Sequence, residues 1–247
     1  MLLENLSEDC ILNGKLKFFQ PKNGYRIPID PIILASMIKI SKNQMVLDVG
    51  CGVGTISLIL KFKNPSAEIS AIDIDPKICE ICKLNSEKNS LPLNVYNLNL
   101  TKINESILKN MRFDHVVTNP PYFTLCSSRI SEATRFAKFE TMPLNNWIEA
   151  CLKKLNDQGT FSIIHDAARI DDIIFTLKNS RVKVGNFEIF PIYSKKNSAA
   201  KRVIVKCRKN GKSVSKILHP IITHNDDGTY SSEMADILSG NFLYDHP

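Results

Sequence analysis

Gln44-Met-Val-Leu-Asp48-Val-Gly50-Cys-Gly52-Val-Gly54-Thr55 is the stretch from which the rest of the chain can be read. Residues 44–49 form a short apolar run, and glycine then recurs at 50, 52 and 54. Such a run is a strand leaving into a tight turn ahead of a helix, and glycine there lets backbone approach a ligand closely. In open α/β sheets ligands sit in that place, at the carboxyl ends of strands near the switch point. The spacing narrows the ligand. A dinucleotide fingerprint, G-x-G-x-x-G, would need glycine at 55 or 57, which hold Thr55 and Ser57, and no G-K-[ST] phosphate cradle follows. Asp73 ends the next apolar run, 19 residues beyond Gly54, where a carboxylate accepts hydrogen bonds from both hydroxyls of a ribose. These signals fit an adenosine ligand without a pyrophosphate.

Outward from this loop, apolar runs alternate with helical patterns from Gln44 to Ile164, the signature of βα units and a parallel sheet. Strands are expected at 44–49, 68–74, 93–100, 113–118 and 160–164. Between the second and third, Asp75 caps a helix, Pro76 suits its first turn, and Ile78, Ile81, Cys82 and Leu84 share a buried face. A helix from Arg169 to about Leu177 precedes strands at 187–193 and 202–208, and the short link between those two requires an antiparallel pair. The expectation is an α/β, doubly wound, mostly parallel seven-stranded sheet with one antiparallel strand. It forms a single domain over 1–247: an N-terminal segment and helix (1–43), a core (44–165), and a C-terminal helix, basic hairpin and tail (166–247).

Composition bounds the class. With 43% hydrophobic and 23% charged residues, the chain is neither disordered, collagenous nor a coiled coil. No apolar run approaches the roughly 18 residues of a membrane span, and acids stand at the N-terminus where a signal peptide carries bases. Seven scattered cysteines do not make a disulfide framework, so the cytoplasm is the expected compartment. The net charge of +7 is local. Lys195, Lys196, Lys201, Arg202, Lys206, Arg208, Lys209, Lys212 and Lys216 follow one another without an acid, leaving the remainder slightly acidic. Such a stripe is the footprint for a polyanion, or else a solvated edge strand and hairpin whose lysines discourage aggregation.

Asn119-Pro-Pro-Tyr122-Phe123 follows the fourth strand at the same sheet edge. Pro120 and Pro121 fix φ and remove two N–H donors, leaving a rigid turn with outward carbonyls. An amine conjugated to a ring is a poor nucleophile because its lone pair is delocalised. Acceptors on both N–H bonds, the Asn119 side chain and the Pro120 carbonyl, would draw the nitrogen toward tetrahedral geometry and aim its lone pair. Tyr122 supplies a face on which a flat base can stack.

D-x-G-x-G-x-G followed by an acid on the next strand resembles the class I S-adenosylmethionine-dependent methyltransferases, and N-P-P-Y resembles those acting on planar nitrogens (adenine N6, cytosine N4, guanine N2, a glutamine amide). The resemblance implies a Rossmann-like fold and S-adenosyl-L-methionine as cofactor. Its methionine part would lie near Asp48 and Gly50, Gly52 and Gly54 would form the loop, Asp73 would take the ribose, and Asn119 would face the methyl. The acid that usually ends the third strand is replaced by Asn97-Leu-Asn99; Asn99 is the expected adenine contact, with Asn97 the alternative.

Release-factor glutamine methyltransferases carry an N-terminal helical domain, and only about 40 residues precede the first strand here. Adenine DNA methyltransferases carry a substantial target-recognition segment, whereas only Thr124 to about Asn145 follows N-P-P-Y-F. More of the chain resembles the bacterial tRNA1(Val) (adenine-37-N6)-methyltransferases. The resemblance includes Phe19-Gln-Pro-Lys-Asn-Gly-Tyr-Arg26-Ile-Pro-Ile-Asp30, N-P-P-Y-F, Pro191, Ala199-Ala-Lys-Arg-Val-Ile-Val205 and His224-Asn-Asp-Asp-Gly-Thr-Tyr230. It implies N6-methylation of a tRNA adenine, with the anticodon stem-loop held by Arg129, Arg135, Lys138, Lys195, Lys196, Lys201, Arg202, Lys206 and Lys209, and no obligatory protein partner. The alternatives are the same chemistry on an rRNA base, a DNA base or a protein glutamine, or an RNA-binding module without turnover. Cys79-x-x-Cys82 lies on a helix's apolar face and has no second pair to complete a zinc site, so no metal is expected. His115 reads as a surface or satisfied core residue, and His165-Asp166 lacks an accompanying nucleophile.

Overall fold

The strand that carries Asp48, β3 (Met45–Val49), lies inside a nine-stranded sheet in the computed structural model, which describes residues 5–23, 26–122 and 142–241. On one side of it come β4 (Glu68–Asp73) and β5 (Asn94–Asn97), on the other β6 (Phe113–Thr118) and β7 (Leu155–Asp166), all parallel. The sheet grows outward from β3 to β5 and then restarts at β6. The β3/β6 boundary is therefore the switch point, where the loops diverge and leave a crevice.

Helices cover both faces. Helix α1 (Asp30–Ser36) precedes β3, α2 (Thr55–Lys63) follows it, and α3 (Pro76–Lys88) follows β4. Asp75 caps α3 by accepting from the backbone N of Lys77, and Cys79, Ile81 and Cys82 are buried on its inner face. Helices α4 (Leu144–Leu152) and α5 (Ile170–Asn179) flank β7. One apolar cluster joins α1 and α2 to Val46, Ile164, Ile204 and a C-terminal helix, α6 (Ser232–Ser239). A second joins α4 and α5 to Leu47, Val116, Phe161, Ile163 and Val205. Each large side chain buried in these layers contributes roughly 1.5–3 kcal/mol.

The last strands depart from the edge arrangement that the basic segment allowed. β9 (Ala200–Lys209) is antiparallel and wedged between β7 and β8 (Val184–Tyr193). It is an interior strand, so its cations are not an edge defence. Two short strands, β10 (Lys216–Ile217) and β11 (Ile221–Ile222), add to β8 and raise the expected seven strands to nine.

The N-terminal segment is also more structured than expected. β1 (Leu6–Ile11) and β2 (Leu16–Pro21) form a hairpin whose turn runs through Asn13 and Gly14, both at positive φ. The buried Asn85 on α3 docks it, accepting from the backbone N of Phe19 at 2.6 Å and donating to the carbonyls of Phe19 and Val53 at 3.0 Å. One amide thus ties the hairpin to the glycine loop. Arg26 closes the hairpin's other edge by donating to Ser7 Oγ and to the Asp9 carboxylate at 2.8–2.9 Å.

Candidate active site

The glycine loop folds back on its own strands. Gly50 and Cys51 donate their backbone N–H groups to the Ile72 carbonyl, and Gly52 donates to Asp73 Oδ2 at 3.0 Å. Asp73 Oδ1 accepts from the backbone N of Asp75, and burial raises the Asp73 pKa against the pull of these bonds. Gly54 sits at φ +91°, and a Cβ there would lie 2.7 Å from Cys82 Sγ, so no other residue fits without rebuilding the loop. Gly52, at φ +55°, is different: a Cβ would meet nothing within 4 Å, so open space lies beside its backbone. Asp48 lies fully buried behind the loop. Its Oδ2 accepts from the backbone N and Oγ of Ser57, while Oδ1 has no partner among the described residues. Burial pushes its pKa up to about 7, partly offset by the Ser57 bonds. An orphaned acceptor behind an open glycine cradle suits a ligand's donor or positive charge.

The second loop leaves the adjacent strand. Thr118 pairs with Val49, so Asn119 and Gly50 diverge from neighbouring strands at one rim. Thr118 Oγ1 donates to the Val49 carbonyl at 2.8 Å and accepts from Trp147 Nε1 at 3.0 Å. The same indole would lie 3.2 Å from a Cβ at Gly50, so the chain's one tryptophan braces both loops. Asn119 is half-buried, Pro120 buried, and the Tyr122 hydroxyl donates to Asn119 Oδ1. The Tyr122 ring lies 4.8 Å from the His165 ring and 4.7 Å from the guanidinium carbon of Arg202.

The sequence profile of the methyltransferase small domain matches residues 29–168, more than half of the chain and all of the strands that carry these loops. This chain belongs to that family. A "tRNA1(Val) (adenine(37)-N6)-methyltransferase" of Flavobacterium psychrophilum is 26% identical over 233 residues, covering 91% of this methyltransferase and 95% of the relative. One of the same name from Porphyromonas gingivalis is 26% identical over 196 residues, covering 77% and 76%. Among solved structures, a predicted O-methyltransferase from Agrobacterium tumefaciens superposes with a TM-score of 0.70 at 20% identity, over 87% of this chain and 98% of that one. At that identity the likeness is one of fold.

Other expected site residues of this methyltransferase are dispersed. Asn99 caps the 3-10 turn Leu100–Glu105, its Oδ1 accepting from the backbone N and Oγ1 of Thr101. Asn97 donates to the carbonyls of Asp73 and Ile74 and buttresses the exit of β4. Both therefore have structural tasks at the rim. The basic segment divides along β9. Lys195, Lys196, Lys201 and Arg202 lie toward the rim of the two loops, since Arg202 pairs with Asp166 at the end of β7. Lys206 and Lys209 lie toward the opposite end; Lys206 pairs with Glu188 at 3.0 Å and Lys209 donates to the Leu155 carbonyl. At the rim, Lys195 donates to the Asp226 carbonyl, and Lys196 and Lys201 are exposed. Arg129, Arg135 and Lys138 lie outside the described residues.

His165, discounted in the sequence for want of an accompanying nucleophile, packs against the Tyr122 ring. It is fully buried, and Nδ1 accepts from the backbone N of Asp166, so the neutral ring carries its proton on Nε2. That Nε2 has no partner among the described residues, and burial lowers the pKa to about 4. His115, by contrast, is a satisfied core residue bonded to Gln44 Oε1 at 3.0 Å. Cys79 and Cys82 pack into the interior from α3.

Proposed function

We propose that this methyltransferase uses S-adenosylmethionine to methylate N6 of an adenine in tRNA, at position 37 beside the anticodon of tRNA1(Val) or a similar tRNA. The observation that carries the reading is the pairing of Thr118 with Val49, which puts Asn119-Pro-Pro-Tyr122 beside the glycine loop. The names of two relatives that align with most of the chain support the choice of adenine and tRNA.

The residues fit the cofactor. Asp48 Oδ1 is a buried acceptor without a partner among the described residues and suited to a positively charged group, Gly52 leaves room for close approach, and Asp73 stands where a ribose-binding carboxylate belongs. When bound, S-adenosylmethionine supplies a methyl group on a sulfonium. Everything else falls to the protein. Asn119 Oδ1 and the Pro120 carbonyl take the two N–H bonds of the adenine amine, localising its lone pair and turning it toward the glycine loop. The Tyr122 hydroxyl occupies one lone pair of Asn119 Oδ1, fixing the amide so that its second lone pair stays available. The Tyr122 ring offers the base a stacking surface worth roughly 1–3 kcal/mol. A base in an anticodon loop must be unstacked but not unpaired, so a small site suffices. Lys195, Lys196 and Lys201 hold the RNA backbone at the same rim, with Arg129, Arg135 and Lys138 contributing from the stretch of sequence that follows N-P-P-Y-F.

The test is incubation of the purified protein with labelled S-adenosylmethionine and total RNA, followed by nucleoside mass spectrometry of separated RNA classes. N6-methyladenosine in tRNA is the expected product. Label confined to rRNA, DNA or protein glutamine in parallel reactions, or absent throughout, overturns the reading.

A further inference from the structure

Arg202 belongs by sequence to the basic segment, where a cation reads as a phosphate contact. Its surroundings give it other work. Nε lies 2.9 Å from Asp30 Oδ2, and Nη1 lies 3.5 Å from Asp166 Oδ2 and 3.0 Å from the Lys201 carbonyl. The Asp30 side chain is only 13% exposed, so that pair is shielded from solvent and screened little by salt. With its edge taken by two carboxylates, the guanidinium presents its carbon 4.7 Å from the centre of the Tyr122 ring. Tyr122 in turn donates to Asn119 Oδ1 and packs at 4.8 Å against His165, the residue before Asp166. Four segments converge here: the start of α1, the end of β7, the start of β9 and the loop after β6.

We propose that Arg202 is a positioning residue: clamped between Asp30 and Asp166, its planar guanidinium seats the Tyr122 ring and, through the Tyr122 hydroxyl, orients the Asn119 amide that receives the target amine. The inference rests on the amine-methylating reading of the N-P-P-Y loop. A guanidinium suits the task and an ammonium does not, because only the planar fork can bridge two carboxylates while stacking on a ring.

Arg202→Lys keeps the charge and removes the fork. It is expected to lower kcat roughly 10–100-fold, the scale set by misplacing a reacting group by about 1 Å. The KM for tRNA and the cofactor dissociation constant should stay within about twofold of wild type. In a Tyr122→Ala background, already impaired, the same change should cost less than about twofold further, because Arg202 would act through a ring no longer present. Arg202→Met should leave the salt dependence of tRNA binding unchanged. Wild-type kcat in Arg202→Lys, additive losses in the double variant, or a salt slope shallower by about 0.7–0.9 in Arg202→Met would each overturn the proposal, the last by making Arg202 a phosphate ligand. Should Arg202→Met fail to fold by circular dichroism, Arg202→Lys and the double variant still decide. A wild-type chain that methylates no tRNA adenine overturns the substrate reading alone; the same variants then report on whichever planar amine it does methylate.

Discussion

The glycine loop after β3 and the N-P-P-Y loop after β6 leave neighbouring strands, yet they are held by different means. The first is shaped mainly by its own backbone: Gly50 and Cys51 donate their N–H groups to the Ile72 carbonyl and Gly52 donates to the Asp73 carboxylate, while positive φ angles and close packing at Gly54 leave little freedom. The second is shaped by side chains from distant segments, with Tyr122 on Asn119 and Arg202 and His165 against Tyr122. A loop held by its own backbone is preformed for its ligand, whereas one held by side chains can be tuned or disabled by residues remote in sequence. Changes on the first should register as binding, and changes on the second as turnover.

The largest expected effect lies on the side-chain-held loop. Asn119→Ala should lower single-turnover rates about 10²–10³-fold, the range for one preorganised polar group, with cofactor affinity by calorimetry retained. Loss of affinity at unchanged rate would erase the distinction between the loops. On the backbone-held side, Asp73→Ala should weaken cofactor binding roughly 10–100-fold, matching one charged hydrogen-bonding group, with kcat at saturation little altered.

A smaller effect follows from Asp48. Its folded pKa of about 7 lies above the ordinary carboxylate value of 3.8, so the stability it contributes is complete below that value and is lost as pH rises toward 7. A positively charged ligand beside Oδ1 favours the carboxylate, so cofactor affinity should fall by up to about tenfold per unit as pH drops below 7. Asp48→Asn should flatten both profiles, read by calorimetry and by thermal unfolding of the ligand-free protein; a pH-independent wild-type affinity would remove Asp48 from the site. The subtlest test separates the ends of β9. Neutralising Lys195, Lys196 and Lys201 should make the salt slope of tRNA binding shallower by about 0.7–0.9 for each phosphate left without its cation. Neutralising Lys206 and Lys209, which face Glu188 and the Leu155 carbonyl at the far end, should leave it unchanged.

What is legible in the sequence has local signals. The apolar runs mark β3, β4 and β6 to within a residue or so, Asp75-Pro76 marks the start of α3, and the glycines and Asp73 mark the first loop. The N-terminal hairpin carries a signal of its own, quieter than these: Asn13-Gly14, between Ile11-Leu12 and the Leu16, Phe18 alternation, is a hairpin turn. The clamp has none. Asp30 and Arg202 are 172 residues apart, and nothing in either neighbourhood announces the other. Charge alone places Arg202 among phosphate-binding cations, since a row of cations looks the same whether the strand bearing it is solvated or wedged inside a sheet. His165 is obscure for a similar reason, because its burial and its packing against Tyr122 exist only once β6 and β7 lie side by side.

The placement of β9 between two earlier strands has a consequence for the newborn chain. While it emerges from the ribosome, β7 and β8 cannot complete the sheet, and both show raw hydrogen-bonding edges until residues 200–209 slide between them. Arg202 arrives on that same strand. The step that seals the molecule against aggregation therefore also delivers the cation beneath Tyr122, so an incompletely synthesised chain would be sticky and idle at once.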